Sequence, residues 1–327
     1  LHLIHTLSLH DALPISSCLI LHRGKLQAQA RLANRDLDTY CLLTSLCAFM
    51  MLQPGMPVLG DLMGQDGLLG TNVMSGAMLM EETIRCRKGY DHVESPTLAN
   101  LATSYFLFGC YFVLDIHTKA WFHLREATTL ACILGMNKEE TYMTYDVIDS
   151  SRRRRLYWLL FVAERYILCP FCLSSCLSVC HVLRICIFLS FVYSSVSSAL
   201  YPHIHPSNTS RSYALQRHRP LTLQATIAIP TADDDPTEPA PSLTGFIHIV
   251  TLFKPFDDKF VALWNKTRSD CSPAYLTSLQ KHLSDALPAQ LNSTKSQAAE
   301  LRISQQWLHN IVWQLSISNG SDRKSVV

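Results

Sequence analysis

The sequence predicts an all-α protein. Three observations carry this: apolar residues recur at helical spacing in one stretch after another, residues that start or stop helices flank those stretches, and alternating Val/Ile/Thr strands are nearly absent. With 327 residues, 48% hydrophobic and 17% charged, the chain has enough apolar surface to bury a sizeable core. A formal net charge of +2 is too mild for a nucleic-acid or acidic-membrane surface spread over the whole molecule.

The first element is 36–53, DLDTYCLLTSLCAFMMLQ. Asp36 can cap it, its body is apolar on nearly every side as in a buried helix, and Pro54-Gly55 stops it. The Gly-rich connector GDLMGQDGLLG leads to a second helical stretch ending at Gly89. In ESPTLANLATSYFLFGCYFVLD, Ser95 is placed as N-cap and Pro96 as first helical residue, with Tyr105 to Phe112 in the core. The stretch 120–137, AWFHLREATTLACILGMN, sets Trp121, Leu124, Thr128, Ala131 and Leu134 on one stripe and stops at Gly135. In 146–165, DVIDSSRRRRLYWLLFVAER, residues Ile148, Arg155, Leu159 and Ala163 fall on successive turns. Beyond residue 211 come SYALQRHRPLTL, read as continuing that helix, and the acidic loop IPTADDDPTEPAPS. LTGFIHIVTLFKPFDDKFVALWNKT follows, then two amphipathic helices in CSPAYLTSLQKHLSDALP and STKSQAAELRISQQWLHNIVWQLSIS.

Both ends are set apart from this pattern. HTLSLHDALPIS at 5–16 and SDRKSVV at 321–327 resemble translated sequencing-adapter strings, the alternative being disordered tails, and the start lacks the basic n-region of a secretory signal. The chain is therefore read as a fragment, with sequence missing on both sides. Of its twelve cysteines, five lie between 169 and 186 and the others are scattered among apolar helical residues, which fits reduced core thiols.

Residues 166–210 contain one Arg and no Lys, Asp or Glu. Three readings compete. As a zinc site, CPFCLSSCLSVCH offers only one C-x-x-C pair, Cys169 and Cys172, in a run without turn residues. As a membrane span, 182–200 has the length, but Arg184 sits inside it and no basic cluster flanks it. The third reading, a translated intron, is favoured: T-rich noncoding DNA yields this composition, Arg165-Tyr166-Ile167 can encode a GTATAT donor, and a CAG acceptor fits at Arg211. The domain reading is thus 1–17 and 321–327 adapter-derived or disordered, 18–165 and 212–320 two parts of one helical domain, and 166–211 a non-native insert.

With the insert removed, AWFHLREATTLACILGM, SRRRRLYWLLFVAER and SYALQRHRPLTL resemble in order the fungal-specific transcription factor domain, the middle homology region of zinc binuclear cluster regulators. Trp121, Arg125, Leu134 and Gly135 match its first helix; Arg153, Arg154, Arg155, Tyr157, Trp158 and Glu164 match the second; His218, Arg219 and Pro220 stand at its closing Arg-Pro. Glu164 replaces the commoner Asp, and His218 replaces Gly. The later segments look closest to regulators of carbohydrate-utilisation genes, of the amylolytic and maltose type. The resemblance implies a nuclear regulatory domain whose DNA contact is made through a separate N-terminal six-cysteine, two-zinc module. That module's cysteine pattern is absent here, so no cofactor is expected in this chain. A small-molecule inducer or a co-regulator protein, and a homodimer of the full-length form, are the implied partners.

Arg152 to Arg155 could be a phosphate or nuclear-import patch, but consecutive helical residues point in different directions. Arg155 facing inward, pairing with Glu164 or another carboxylate, is preferred. His218-Arg219-Pro220 reads equally as part of an inducer pocket or as a helix-terminating loop. No catalytic motif anchors an enzyme reading. The alternatives are a helical-repeat scaffold, for which no fixed period is found, and a small membrane protein spanning about 182–200.

Overall fold

The computed structural model describes residues 20–21, 23–31, 33, 35–52, 70–168, 220–231, 234, 240–268, 270–291 and 295–324. Among these residues the regular structure is helical throughout, as the sequence predicts, and it falls into two compact units dividing at Thr141 and Tyr142.

The first unit holds α1 (Arg23–Ala30), α2 (Leu37–Met51), α3 (Gly70–Arg87), α4 (Leu98–Val113) and α5 (His117–Ile133). Asp36 caps α2, its carboxylate accepting the N–H groups of Asp38 and Thr39. Both α2 and α4 are too apolar for an exposed face, and α4 is buried continuously from Asn100 to Phe112. Accordingly α4 lies centrally, against α2 and α5, while α3 packs on α2. The N-cap of α4 is Thr97, not Ser95. Its hydroxyl accepts the Asn100 N–H at 3.2 Å and donates to Asp38 Oδ2 at 2.8 Å, so a tertiary partner moves the cap two residues past the Ser95 that the sequence predicts.

α5 begins at His117, three residues before the predicted start, and buries Ala120, Leu124, Ala127, Thr128 and Ala131, with Trp121 and Leu134 at the margins. It ends in a Schellman turn: the Gly135 N–H reaches the Cys132 carbonyl at 3.0 Å, the Met136 N–H reaches Ala131 at 2.9 Å, and Gly135 has φ +68°.

Glu126, on α5, joins three elements. Its carboxylate receives Arg87 Nη1 from α3 and Ser104 Oγ from α4, and lies 3.1 Å from His92 Nε2 and from His123 Nδ1. Burial pushes the carboxyl up, but hydrogen bonding by His123 and His92 and the charge of Arg87 prevail and hold it at about 2.

The second unit holds α6 (Val147–Leu168), α7 (Ala240–Phe253), α8 (Asp258–Trp264), α9 (Pro273–Asp285) and α10 (Lys295–Lys324), after a 3-10 turn at Glu139–Thr144. α6 is buried without interruption from Arg155 to Tyr166, so it is a core helix and not an amphipathic one. It packs on α7, and α10 receives α7 and α9. Ser272 caps α9 with Pro273 in the first turn, and Asp257 caps α8. α6 continues three residues past the 165/166 boundary, where the Tyr166 ring meets Trp307 at 5.5 Å. α10 runs to Lys324, into the segment set apart at 321–327.

The helical continuation predicted for SYALQRHRPLTL does not extend to Pro220–Leu223, which are non-helical. Proline has no N–H for a helix, and the amides that follow are bound by a side chain of α6. The cysteines of 169–186, the remainder of the insert, His218 and Arg219 lie outside the described residues.

Candidate functional site

Residues 220–231 contain neither helix nor strand, yet Leu221, Leu223 and Ile227 are buried. Buried backbone needs hydrogen-bond partners, and α6 supplies them from side chains. Glu164, itself inaccessible to solvent, accepts the N–H groups of Thr222 at 2.7 Å and Leu223 at 3.0 Å. The Tyr157 hydroxyl donates to the Gln224 carbonyl at 2.8 Å, and Trp158 Nε1 donates to the Ala228 carbonyl at 3.0 Å. The segment thus descends α6 in the opposite chain direction, from Glu164 toward Trp158, as a strap held by its main chain. Side-chain bonds add to this, among them Gln224 Nε2 to Asp258 Oδ2 at 2.6 Å and Tyr157 Oη with Thr226 Oγ1 at 3.5 Å.

Arg165 completes the clamp. Its Nε donates to the Phe256 carbonyl at 2.7 Å, Nη1 to Phe161 at 3.2 Å and Nη2 to Leu223 at 3.1 Å, while the guanidinium lies over the Phe161 ring. Burial lowers it to about 10, with the charge of Glu164 opposing that fall, so it stays cationic at neutral pH. The sequence reading missed Arg165. The available signal was a charged pair, Glu164-Arg165, placed where the helix is otherwise apolar on every side.

The arginines separate by direction. Arg152 and Arg155 are buried; Arg153 stacks 3.9 Å from the centre of the Tyr145 ring and Arg154 4.2 Å from that of Tyr142. Aromatic stacking on the preceding turn is a structural use of both half-buried guanidinium groups. Trp158, Glu164 and Pro220 are gathered at the strap. Trp121, with Arg125 5.4 Å above its ring, and Gly135 belong to the first unit. Among the described residues no cluster of His, Cys, Asp and Glu could hold a metal ion, and no helix is long and apolar enough to cross a membrane.

Comparison with known proteins gives relatives at low identity. "Probable sucrose utilization protein SUC1" of Candida albicans is 29% identical over 137 residues, 42% of this chain and 26% of the relative. "Maltose fermentation regulatory protein MAL13" of Saccharomyces cerevisiae is 21% identical over 246 residues, 74% of this chain and 41% of the relative. "Respiratory transcription factor ZNF1" of the same yeast is 21% identical over 310 residues, covering 92% and 56%. The chain therefore spans little more than half, at most, of the curated relatives it matches. No family model and no solved structure matches. The resemblance to a fungal transcription-factor regulatory domain of the maltose and sucrose type holds on these relatives.

Proposed function

We propose that this chain is the regulatory, middle homology domain of a fungal transcription factor that controls carbohydrate-utilisation genes. The observation that supports it most is similarity to a maltose fermentation regulatory protein across 74% of the chain. DNA is contacted through an N-terminal zinc module of the full-length protein, which acts in the nucleus, as a homodimer. The helical domain relays the state of a small-molecule inducer or a co-regulator protein, and no catalytic role is assigned to it. The family-motif residues divide into a clamp on the strap (Tyr157, Trp158, Glu164), Arg153 and Arg154 stacked on Tyr145 and Tyr142, the buried Arg155, and Trp121, Arg125 and Gly135 in the first unit. Pro220 opens the strap, and His218 and Arg219 precede it in the sequence.

Deleting the gene in its host and measuring growth and transcripts on maltose, sucrose and glucose tests this reading. Loss of induction on a disaccharide with normal growth on glucose is expected. Unchanged induction of every disaccharide-utilisation gene overturns it.

A further inference from the structure

Arg87, the last residue of α3, is 6% exposed and carries more donors than its surroundings use. Nη1 reaches Glu126 Oε2 at 3.1 Å. Nε and Nη2 are buried and meet no acceptor among the described residues. Together those two N–H groups form the side-on edge of a guanidinium, which presents parallel donors to a pair of oxygens. Two surface arginines fill this edge, while Arg152 and Arg153 also leave Nε without an acceptor among the described residues. Arg85 holds Glu82 through Nε and Nη2, both at 2.7 Å, and Arg268 holds Asp270 at 2.9 and 2.6 Å. Arg165, comparably buried, places Nε, Nη1 and Nη2 on three carbonyls.

The Glu126 carboxylate cannot supply the missing acceptors. Oε2 already faces Arg87, Ser104 and His123, and Oε1 faces His92. Asp38, on α2, is engaged by Thr97 and Asn100. A buried charged donor left without an acceptor is destabilising, so the cluster favours any species that brings two oxygens to the edge. The arginine and glutamate offset one another in charge, and His92 and His123 are the other titratable members of the group. Tyr111 stacks on His123 and Tyr90 lies edge-on to His92, which fixes both rings.

We propose that the side-on edge of Arg87, beside Glu126 where α3, α4 and α5 meet, is a binding site for a small oxyanion, holding two oxygens of a carboxylate or phosphoryl group. This goes beyond the regulatory reading and does not depend on it.

The test titrates the full chain with inorganic phosphate and, separately, acetate, against chloride at matched ionic strength. It reads the melting temperature and the Arg87 Nε–H resonance. One anion is expected to raise the midpoint saturably, by about 2–4 °C near tenfold excess over Kd, and to shift that resonance. Which anion does so distinguishes phosphoryl from carboxylate recognition. Arg87→Lys keeps a charge beside Glu126 but loses the paired donors, and should weaken binding about tenfold or more. The proposal fails if neither anion moves the midpoint or the resonance beyond chloride, or if R87K responds like the wild type. Should R87K not fold, the wild-type resonance decides alone.

Discussion

Glu164 and Arg165 are adjacent, opposite in charge and both buried, yet each acts through backbone groups of other segments. A carboxylate taking two consecutive amides is a strong acceptor because both donors converge on one charge. Glu164→Gln leaves an NH2 group facing one of those N–H groups. It should lower stability by about 2–4 kcal/mol, measured by urea unfolding followed by circular dichroism. Tyr157→Phe removes the neutral hydrogen bond to the Gln224 carbonyl and should cost about 1 kcal/mol. Equal losses for the two variants would show that the charge of Glu164 adds nothing beyond an ordinary hydrogen bond. The same contrast explains what the sequence revealed here. Tyr157, Trp158 and Glu164 are visible as motif residues, whereas Arg165 resembles any charged helix end until its carbonyl acceptors are seen.

At the scale of elements, three helices end in the same turn with different residues at the left-handed position. Gly135 has φ +68°, Asp115 +62° and Lys266 +57°, and each turn carries the paired bonds of a Schellman motif. Only glycine adopts this conformation without cost. Gly135→Ala should therefore destabilise by about 1–2 kcal/mol, aggravated by Thr141 Oγ1, which lies 3.0 Å from where the new Cβ would stand. Lys266→Gly, at an exposed position, should raise the melting temperature by relieving the same strain. Gly135 was legible as a stop because glycine advertises the conformation. Asp115 and Lys266 were not, since the turn is imposed on them by where the chain must go next.

The Glu126 junction ties α3, α4 and α5 and makes the first unit sensitive to acid. Its carboxyl sits at about 2, below an ordinary value of 4.5, so its stabilisation is present above pH 4.5 and is lost as pH falls through about 2. After solvent screening this amounts to roughly 1–2 kcal/mol. Thermal unfolding between pH 2 and 6 should show that slope in the wild type and a shallower one in Glu126→Gln. An identical pH profile in the variant would remove Glu126 from the account.

At the scale of the whole molecule, we propose that 166–211 is a translated intron absent from the mature protein. The strap supports this: Glu164 and Arg165 hold Thr222 and Leu223, so the chain that leaves α6 returns to its point of departure. A segment between two such anchors can be shortened at little cost in loop-closure entropy. Residues 212–221 remain to bridge them. Deleting 166–211 should keep the helical circular dichroism and a cooperative melt within a few degrees of the full chain, and a cDNA read across codons 160–215 should lack the interval. Transcripts that consistently retain it would return the zinc and membrane readings. The sequence by itself determined the helical class, the order of the helices from Leu37 onward and the cap at Asp36, because helical period and capping are encoded within a few neighbouring residues. Only the tertiary structure decided that Thr97 and not Ser95 caps α4, that residues 220–231 form a strap, and that Arg87 keeps an unengaged edge. Those outcomes depend on which donor meets which acceptor across dozens of residues. Every backbone N–H and C=O is chemically alike, so nothing in the sequence marks the ones that Glu164, Tyr157 and Trp158 bind.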